Sequence, residues 1–296
     1  MKILNYGSLN YDHIYLVDHI VRPGETLSSS EISVRAGGKG LNLSIALAKA
    51  GMEIYHAGMA GEDGTELLGI LREHGVHTEH ISIHAGRSGH AVIQVDGQGE
   101  NSILLYQGAN GKNSVEKIKK VLSCFSEGDV LLLHNEINLL RELVEIACEK
   151  GMKVVLNPSP MNENVTCCDL SRVSLFILNE LEAGQLVGET EPEQMIAAMR
   201  MKYPEAATVL TLGKAGSIYA DGERVCRCPC FPVEAVDTTA AGDTFAGYYL
   251  TAMLCGREIG ECLRTASAAS ALAVTKRGAA PSIPYYKDVE EFLRSR

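Results

Sequence analysis

The chain has 296 residues, of which 46% are hydrophobic, and its formal net charge is −10. This length allows one large α/β domain with a small appendage. The negative charge argues against a general nucleic-acid binder, and no apolar run is long enough to span a membrane, so a small-molecule ligand is expected.

Strands and helices alternate along most of the chain. The predicted strands are Ile3–Tyr6, Glu53–Met59, Val130–Leu133, Lys153–Leu156, Leu175–Leu178 and Thr208–Leu212. The predicted helices are Leu41–Ala50, Thr65–His74, Leu139–Lys150, Pro192–Lys202, Gly242–Cys255 and Ile259–Thr275. This alternation predicts a three-layer α/β/α fold, with a central, mostly parallel sheet and helices on both faces.

Two stretches interrupt the alternation. Residues 13–21 and 28–35 are extended around Pro23-Gly24, and residues 90–95 and 100–106 are extended around Asp96-Gly97, a common hairpin signal. Four such strands cannot easily join a buried parallel sheet. We therefore predict a small four-stranded antiparallel sheet, formed by about residues 11–35 and 90–106, that covers a site as a lid within a single domain of residues 1–296.

The N-terminus and the cysteines bear on the compartment. The first residues, MKILNYGSLN, lack the features of a secretory signal peptide, so we expect a cytoplasmic protein with mostly reduced thiols. Cys226, Cys228 and Cys230 follow the spacing C-x-C-x-C. One face of a β-strand explains this spacing as well as a metal site does, and metal sites more often contain paired C-x-x-C units.

A glycine-rich turn precedes the first predicted helix. In the stretch AGGKGLN, residues 36–42, the glycines allow a ligand to approach the backbone, while Lys39 and Asn42 can donate hydrogen bonds. The chain contains no P-loop motif. A plain turn before a helix would look the same, so this stretch is weak evidence alone.

Polar side chains recur where predicted strands end. Asn10 and Asp12 follow the first strand, and Glu136, Asn179 and Glu182 follow later ones. In an extended chain Asn10 and Asp12 point the same way, toward the sheet edge where α/β folds bind ligands. A carboxylate and an amide can form hydrogen bonds with neighbouring hydroxyl groups of a ligand. An Asx turn or a polar start to a helix would explain each case singly, but the recurrence favours a binding site.

The stretch DTTAAGDTF, residues 237–245, places an acid just inside a predicted helix. A helix N-terminus attracts anions, so Asp243 is either an ordinary first-turn acid or a base beside a phosphate site. In the second case the N–H groups around residues 240–243 form an anion hole. Phosphoryl transfer needs an oriented nucleophile, charge neutralisation and exclusion of water, and a base, an anion hole and a lid would meet these needs.

Together these stretches resemble the ribokinases, within the larger family of ribokinase-like carbohydrate kinases. The resemblance runs nearly end to end and includes GSLNYDHI, PGET, AGGKGLN, GEDGTE, GQGEN, GAN, LNPSP, LNELEA, TLGKAGS, DTTAAGDTFAG and VTKRGAAPSIP. The glycine-rich motif and the aspartate-containing motif are the two signatures of the family, and both are present in order. The resemblance implies ATP-dependent phosphorylation of a sugar's primary hydroxyl, giving ribose 5-phosphate from ribose.

The resemblance also implies roles for particular residues. Asp243 is the expected base, and the N–H groups of Ala241, Gly242 and Asp243 are expected to stabilise the transferring phosphoryl group. With Asp243, the residues expected to hold the sugar are Asn10, Asp12, Gly38, Lys39, Asn42 and Glu136. The positions expected to serve Mg²⁺, the phosphates and the rest of ATP are Asn179, Glu182, Thr211, Gly213, Gly216 and Gly242.

A monovalent cation and a dimer complete what the family implies. Ribokinases use a cation, usually K⁺, beside the anion hole. The matching positions, which act mostly through backbone carbonyls, are Asp237, Thr239, Ala273, Lys276, Gly278 and Ser282. Many members dimerise through the lid strands, so a homodimer is expected.

One position departs from the family pattern. The usual Gly-Ala-Gly-Asp is Ala240-Ala241-Gly242-Asp243 here. The additional methyl group restricts the backbone if residue 240 needs a positive φ, whereas a negative φ makes the change tolerable and slightly rigidifies the turn.

Other functions remain open at this point. A family kinase acting on deoxyribose, fructose, a sugar acid or a nucleoside is the main alternative. The chain contains five Phe and no Trp, which argues against an aromatic platform for a base, although its eleven Tyr do not exclude one. A non-catalytic sugar or nucleotide sensor is also possible, but we would expect it to have lost Asp243.

Overall fold

The computed structural model describes residues 1–296 and contains two β-sheets with surrounding helices. The strands are β1 (Ile3–Tyr6), β2 (Asn10–Leu16), β3 (Glu31–Gly37), β4 (Tyr55–Gly61), β5 (His77–His84), β6 (Gly89–Val95), β7 (Asn101–Tyr106), β8 (Val130–His134), β9 (Lys153–Asn157), β10 (Leu175–Asn179), β11 (Ala207–Thr211), β12 (Ser217–Ala220) and β13 (Val225–Cys228). The helices are α1 (Lys39–Lys49), α2 (Thr65–Glu73), α3 (Val115–Leu122), α4 (Leu140–Glu149), α5 (Glu163–Thr166), α6 (Glu180–Val187), α7 (Pro192–Lys202), α8 (Ala241–Leu254), α9 (Ile259–Val274) and α10 (Tyr286–Arg294).

The main sheet has nine strands in the order β13-β12-β11-β10-β9-β8-β1-β4-β5. The pairs from β5 to β11 are all parallel, and β12 and β13 add two antiparallel strands at one edge. The central strand β8 (VLLLH) is buried at every residue, as expected for a parallel strand covered on both faces. The predicted mostly parallel sheet is confirmed.

Helices cover both faces of this sheet and produce two cores. Along β8, Val130 and Leu132 join a cluster of 35 buried residues with α1, α8 and α9. Leu131 and Leu133 point the other way, into a cluster of 33 with α3, α4 and α7. The two cores are nearly equal in size, so the predicted three-layer α/β/α class is confirmed.

The second sheet, which we call the small sheet, has the order β3-β2-β6-β7. Each hairpin is antiparallel as predicted, but β2 pairs with β6 in parallel, so the sheet is mixed and not antiparallel throughout. The reason lies in the main sheet. The strands β2 and β6 follow β1 and β5, which run in the same direction, so their continuations leave the main sheet in the same direction. Its strands span 10–37 and 89–106, close to the predicted 11–35 and 90–106.

Several elements lie outside the predicted set: β5, β12, β13, α3, α5, α6 and α10. The strand β5 (HTEHISIH) lies at the sheet edge and is mostly polar, which explains the weak signal. Cys226 and Cys228 alternate along β13 and pack against the first core, as the strand interpretation of their spacing requires. No group of three or more His, Cys, Asp or Glu side chains is arranged to hold a metal. None of the helices combines the length and apolar character needed to cross a membrane.

Candidate active site

The carboxyl ends of several parallel strands of the main sheet meet the N-termini of α1, α6 and α8. They surround a cavity of about 250 Å³. Its twelve lining residues are Lys39, Asn157, Ile177, Leu178, Asn179, Glu182, Thr211, Thr238, Ala240, Ala241, Gly242 and Asp243. Seven of these were assigned to a site from the sequence, and they come from four separate stretches of the chain. The position is the one where open α/β sheets bind ligands.

The N-terminus of α8 presents free N–H groups to this cavity. The N–H of Ala241 donates to the carbonyl of Thr238 at 3.2 Å, whereas the N–H groups of Gly242 and Asp243 have no protein acceptor. Unpaired N–H groups at a helix start carry partial positive charge, so this turn is suited to bind an anion. Ala240 precedes the helix with φ 58° and ψ 12°, in the left-handed region.

Asp243 lies in the first turn of α8 and is buried. Burial raises the pKa of its carboxyl to about 6, and the carboxylates of Glu136 and Glu182 add to this. The ammonium of Lys39 and a hydrogen bond from the Asn42 amide, 3.1 Å from Oδ2, act in the opposite direction. A carboxyl with this pKa is largely ionised near neutral pH and can still accept a proton, as a general base requires.

The glycine-rich turn docks the start of α1 directly onto the chain that follows β1. A Cβ on Gly40 would lie 2.4 Å from the backbone nitrogen of Ser8, so no side chain fits there. Glu136 holds this arrangement from the end of β8, because it accepts hydrogen bonds from the Ser8 hydroxyl and, at 3.0 Å, from the Lys39 N–H. Gly38, at φ 94°, makes the turn that leads into α1. The two predicted sugar-site segments are therefore in contact.

Asn10 and Asp12 belong to β2 of the small sheet, where alternation places them on one face. The Asn10 Oδ1 accepts a hydrogen bond from the Asn110 amide at 2.7 Å, which fixes its orientation. Burial, followed by the charges of Glu136 and Asp243, raises the pKa of Asp12 to about 7. Asp12, Glu136 and Asp243 thus form an acidic cluster, and such a cluster suits the hydroxyl groups of a neutral polyol as hydrogen-bond donors.

The ammonium of Lys39 stands in this acidic cluster. Burial disfavours its charge, but the four carboxylates of Asp243, Glu136, Glu182 and Asp12 outweigh that effect and raise the pKa of Lys39. The side chain therefore stays charged and lines the cavity beside the anion-binding turn.

The nucleotide-side residues divide into two groups. Asn179 and Glu182 form a capping box at the start of α6, with reciprocal hydrogen bonds of 2.9 and 3.0 Å. Both also line the cavity with Thr211. The polar start of α6 thus also forms part of the cavity wall. Gly213 and Gly216 lie in the turn between β11 and β12 and do not line the cavity.

Three of the predicted cation positions, Asp237, Thr239 and Gly278, are joined by hydrogen bonds near the end of α9. The Asp237 Oδ1 accepts from the N–H and hydroxyl of Thr239, at 2.9 and 2.6 Å, and Oδ2 accepts from the N–H of Gly278 at 2.8 Å. Burial alone would raise the pKa of Asp237, but these hydrogen bonds and the charge of Arg35 hold it below the ordinary value. The other three positions lie in the same segment: Ala273, Lys276 and Ser282.

Sequence reasoning missed several residues of this site. Asn157 and Thr238 line the cavity, and Ser8 and Asn110 orient Glu136 and Asn10. The signal for two of them was present, since Asn157 lies in the stretch LNPSP and Asn110 in GAN. Both stretches were noted as motifs without a role for any residue.

Comparison with known proteins yields one family and many full-length relatives. The family described as "pfkB family carbohydrate kinase" matches residues 1–285. The ribokinase of Haemophilus influenzae is 34% identical, and the match covers 97% of this chain and 96% of that protein. The solved structure of the Arabidopsis thaliana ribokinase complexed with ribose and ATP is 30% identical with a TM-score of 0.84, and covers 99% of this chain and 98% of that one.

A deoxyribokinase is also among the relatives. The Salmonella typhi protein of that name is 27% identical, and the match covers 99% of each chain.

Proposed function

The chain belongs to the pfkB family of carbohydrate kinases and is a kinase that acts on a sugar, and we propose that it phosphorylates ribose with ATP. The observation that carries the proposal is the position of Asp243. This carboxylate lies beside two free N–H groups of a helix start, in a cavity that also contains Lys39. Ribokinases among the full-length relatives support ribose as the substrate.

The proposed reaction uses these groups as follows. The primary hydroxyl oxygen of ribose attacks the γ-phosphorus of ATP, Asp243 takes the hydroxyl proton, and the bond from the γ-phosphorus to the bridging oxygen breaks, releasing ADP. The N–H groups of Gly242 and Asp243 neutralise charge on the transferring group, with Lys39 beside them. Asn10, Asp12, Asn42 and Glu136 orient the sugar through its hydroxyl groups.

The cavity fits a Mg²⁺ ion that accompanies ATP. Glu182 uses Oε2 in the capping box and leaves Oε1 without a hydrogen bond, and the side chain lines the cavity. One carboxylate together with substrate phosphates is a usual Mg²⁺ environment. When bound, the ion would supply charge neutralisation for the phosphates, and Asn179 and Glu182 would hold it there.

The donor set around Asp237 fits a monovalent cation such as K⁺. An ionised carboxylate has about four lone-pair sites, and three are used by Thr239 and Gly278, which leaves one for a cation. The remaining donors would be the hydroxyl of Ser282 and backbone carbonyls, which are hard oxygen ligands. A cation here would add positive charge close to the N-terminus of α8, where the anion is expected to bind.

We also propose that the whole chain works as one kinase domain in which the small sheet is the lid. Asp12 reaches the acidic cluster from β2, so the small sheet already contributes to the sugar side of the site. Its apolar surface supports a homodimer formed through these strands. All nine cysteines are free thiols, which supports a reducing compartment such as the cytoplasm.

The test is ADP release measured over a panel of ribose, deoxyribose, fructose, a sugar acid and a nucleoside. We expect the highest kcat/KM with ribose. A higher value for deoxyribose would favour the activity named for the Salmonella typhi relative, and tight sugar binding without turnover would indicate a sensor.

Replacement of the base tests the mechanism independently of the sugar. Asp243→Asn should lower kcat by about 10³-fold, within the range for loss of a general base, because the amide cannot take the proton. Binding of ATP, measured by calorimetry, should change little. A variant that keeps near-native kcat would remove Asp243 from the role of base.

A further inference from the structure

Arg35 on the small sheet reaches the segment that follows α9. It pairs with Asp12 across β2 and β3, and its side chain is half-buried. Its Nη1 lies only 3.2 Å from the position that a Cβ on Gly278 would occupy. The guanidinium is therefore packed against the backbone of a predicted cation ligand, and glycine at 278 leaves the room for it.

This guanidinium has no partner of its own. Arg35 forms no ion pair and donates no hydrogen bond. Gly278, against which the guanidinium packs, donates its N–H to Oδ2 of Asp237 at 2.8 Å. A positive charge thus stands beside the only carboxylate of the proposed cation site.

Lys49 places a second positive charge against the same segment. Its buried ammonium donates to the carbonyls of Ala280 and Ile283, both at 2.9 Å. Burial first, and the neighbouring charge of Lys276 second, lower the pKa of Lys49. Arg35 and Lys49 therefore both lie against the segment from residue 273 to 283.

We propose that Arg35 is a resident positive charge at the monovalent-cation site, which weakens K⁺ binding there and partly replaces the ion beside Asp237. The inference rests on the cation site of the proposed function. Like charges repel, and the repulsion is screened only in part at a half-buried side chain. Arg35 contributes its charge permanently because a guanidinium does not lose its proton.

The test is the response of the thermal midpoint to KCl, with tetramethylammonium chloride keeping the ionic strength constant. Sugar is absent, and the titration is made with and without ADP. Arg35→Met removes the charge and keeps most of the length of the side chain. We expect the KCl concentration for half-maximal stabilisation to fall by about fivefold in this variant. Because no turnover is involved, the result is independent of which sugar the enzyme phosphorylates.

Two variants provide matched controls. Arg35→Lys keeps the charge and should retain the native K⁺ response, and Arg22→Met makes the same change in net charge at the exposed turn between β2 and β3 and should also leave it native. A half-maximal KCl concentration that is lower than the native value only in Arg35→Met supports the proposal. An unchanged or weaker response in Arg35→Met, no response in any variant, or the same gain in Arg35→Lys would overturn it.

Discussion

Ala240 is the residue where the sequence departs from the family pattern, and the structure shows that the departure matters. Its φ of 58° lies in the left-handed region, where a Cβ crowds the neighbouring carbonyl. The carbonyl of Ala240 accepts the N–H of Thr244 at 2.8 Å, so the residue also begins α8. The conformation is therefore imposed by the turn that opens the anion site, and the methyl group adds strain to it.

Ala240→Gly should stabilise the protein. Glycine removes the free-energy cost of the left-handed conformation, and this gain is larger than the free energy lost through the greater entropy of the unfolded chain. We therefore expect the free energy of unfolding, measured with urea, to rise by about 1 kcal/mol. The control is Ala197→Gly on the exposed face of α7, where the same change should destabilise by about 1 kcal/mol. If both variants lower the free energy of unfolding, Ala240 is not strained.

Asp243 should determine the acidic limb of activity. Its pKa is raised to about 6, and the base must be ionised, so kcat/KM should fall as the pH falls through about 6 and not through the ordinary value of 3.8. Asp12, whose pKa is also raised, interacts with Asp243, so the pKa observed in the pH profile belongs to the two coupled carboxyls together. Lys39 lowers the pKa of Asp243, so Lys39→Met should move the limb to higher pH. A limb at the ordinary value in the native enzyme contradicts the argument.

The raised pKa of Asp243 also makes the free energy of unfolding depend on pH. Because the folded state binds the Asp243 proton more tightly than the unfolded state, the contribution of this group to the free energy of unfolding decreases as the pH rises from about 4 to about 6. Ionised Asp243 thus costs stability, as is common for a group held in place for function.

At the scale of elements, the start of α6 serves two purposes. Asn179 and Glu182 satisfy the free N–H groups of the helix and also line the cavity. This is why motif reasoning could not separate a helix cap from a phosphate site: both need polar side chains at the end of a strand. In the structure the cap uses Oε2 of Glu182 and leaves Oε1 without a hydrogen bond.

Asn179→Ala should therefore change both stability and substrate binding. Loss of the cap should lower the free energy of unfolding by about 1 kcal/mol and raise KM for MgATP. Ser114→Ala removes the N-cap of α3, an exposed serine that accepts from Lys117 N–H at 3.2 Å outside the cavity. This control should cost a similar amount of stability and leave KM native. If both variants raise KM equally, the effect of Asn179 is only structural.

At the scale of the whole molecule, the small sheet leaves apolar side chains without cover. By strand register, Ile32, Val34, Leu104 and Tyr106 share the face opposite to that of Asp12, and all are exposed. They lie on β3 and β7, which are the edge strands of the sheet. Such a patch is typical of a protein interface, and it leaves the face that carries Asp12 for the sugar.

Leu104→Glu should convert the proposed dimer into a monomer. Leu104 is 71% exposed, and a carboxylate at this position of an apolar interface would be buried without a partner. Molecular mass measured by light scattering is the test. Met201→Glu, at a side chain that is 86% exposed on α7, is the control and should leave the mass unchanged. A native chain that is monomeric at assay concentration would refute the dimer directly.

The residues of the sequence alone determined the alternation of strands and helices, the two insertions and the polar ends of the strands. These features depend on periodicity and on the chemistry of near neighbours. They marked Asp243 and the glycine turn as candidate site residues, and the resemblance to the ribokinases implied their roles. Elements at the sheet edge, such as β5, were missed because partial exposure weakens their apolar pattern.

The tertiary structure decided what depends on distant parts of the chain. The parallel pairing of β2 and β6 follows from the directions of β1 and β5, and the φ of Ala240 follows from the turn into α8. The contact between Arg35 and Gly278, and the hydrogen bond from Gly278 to Asp237, join segments that no local pattern connects. Backbone conformation and electrostatic neighbours are set by packing, and packing is a property of the whole chain.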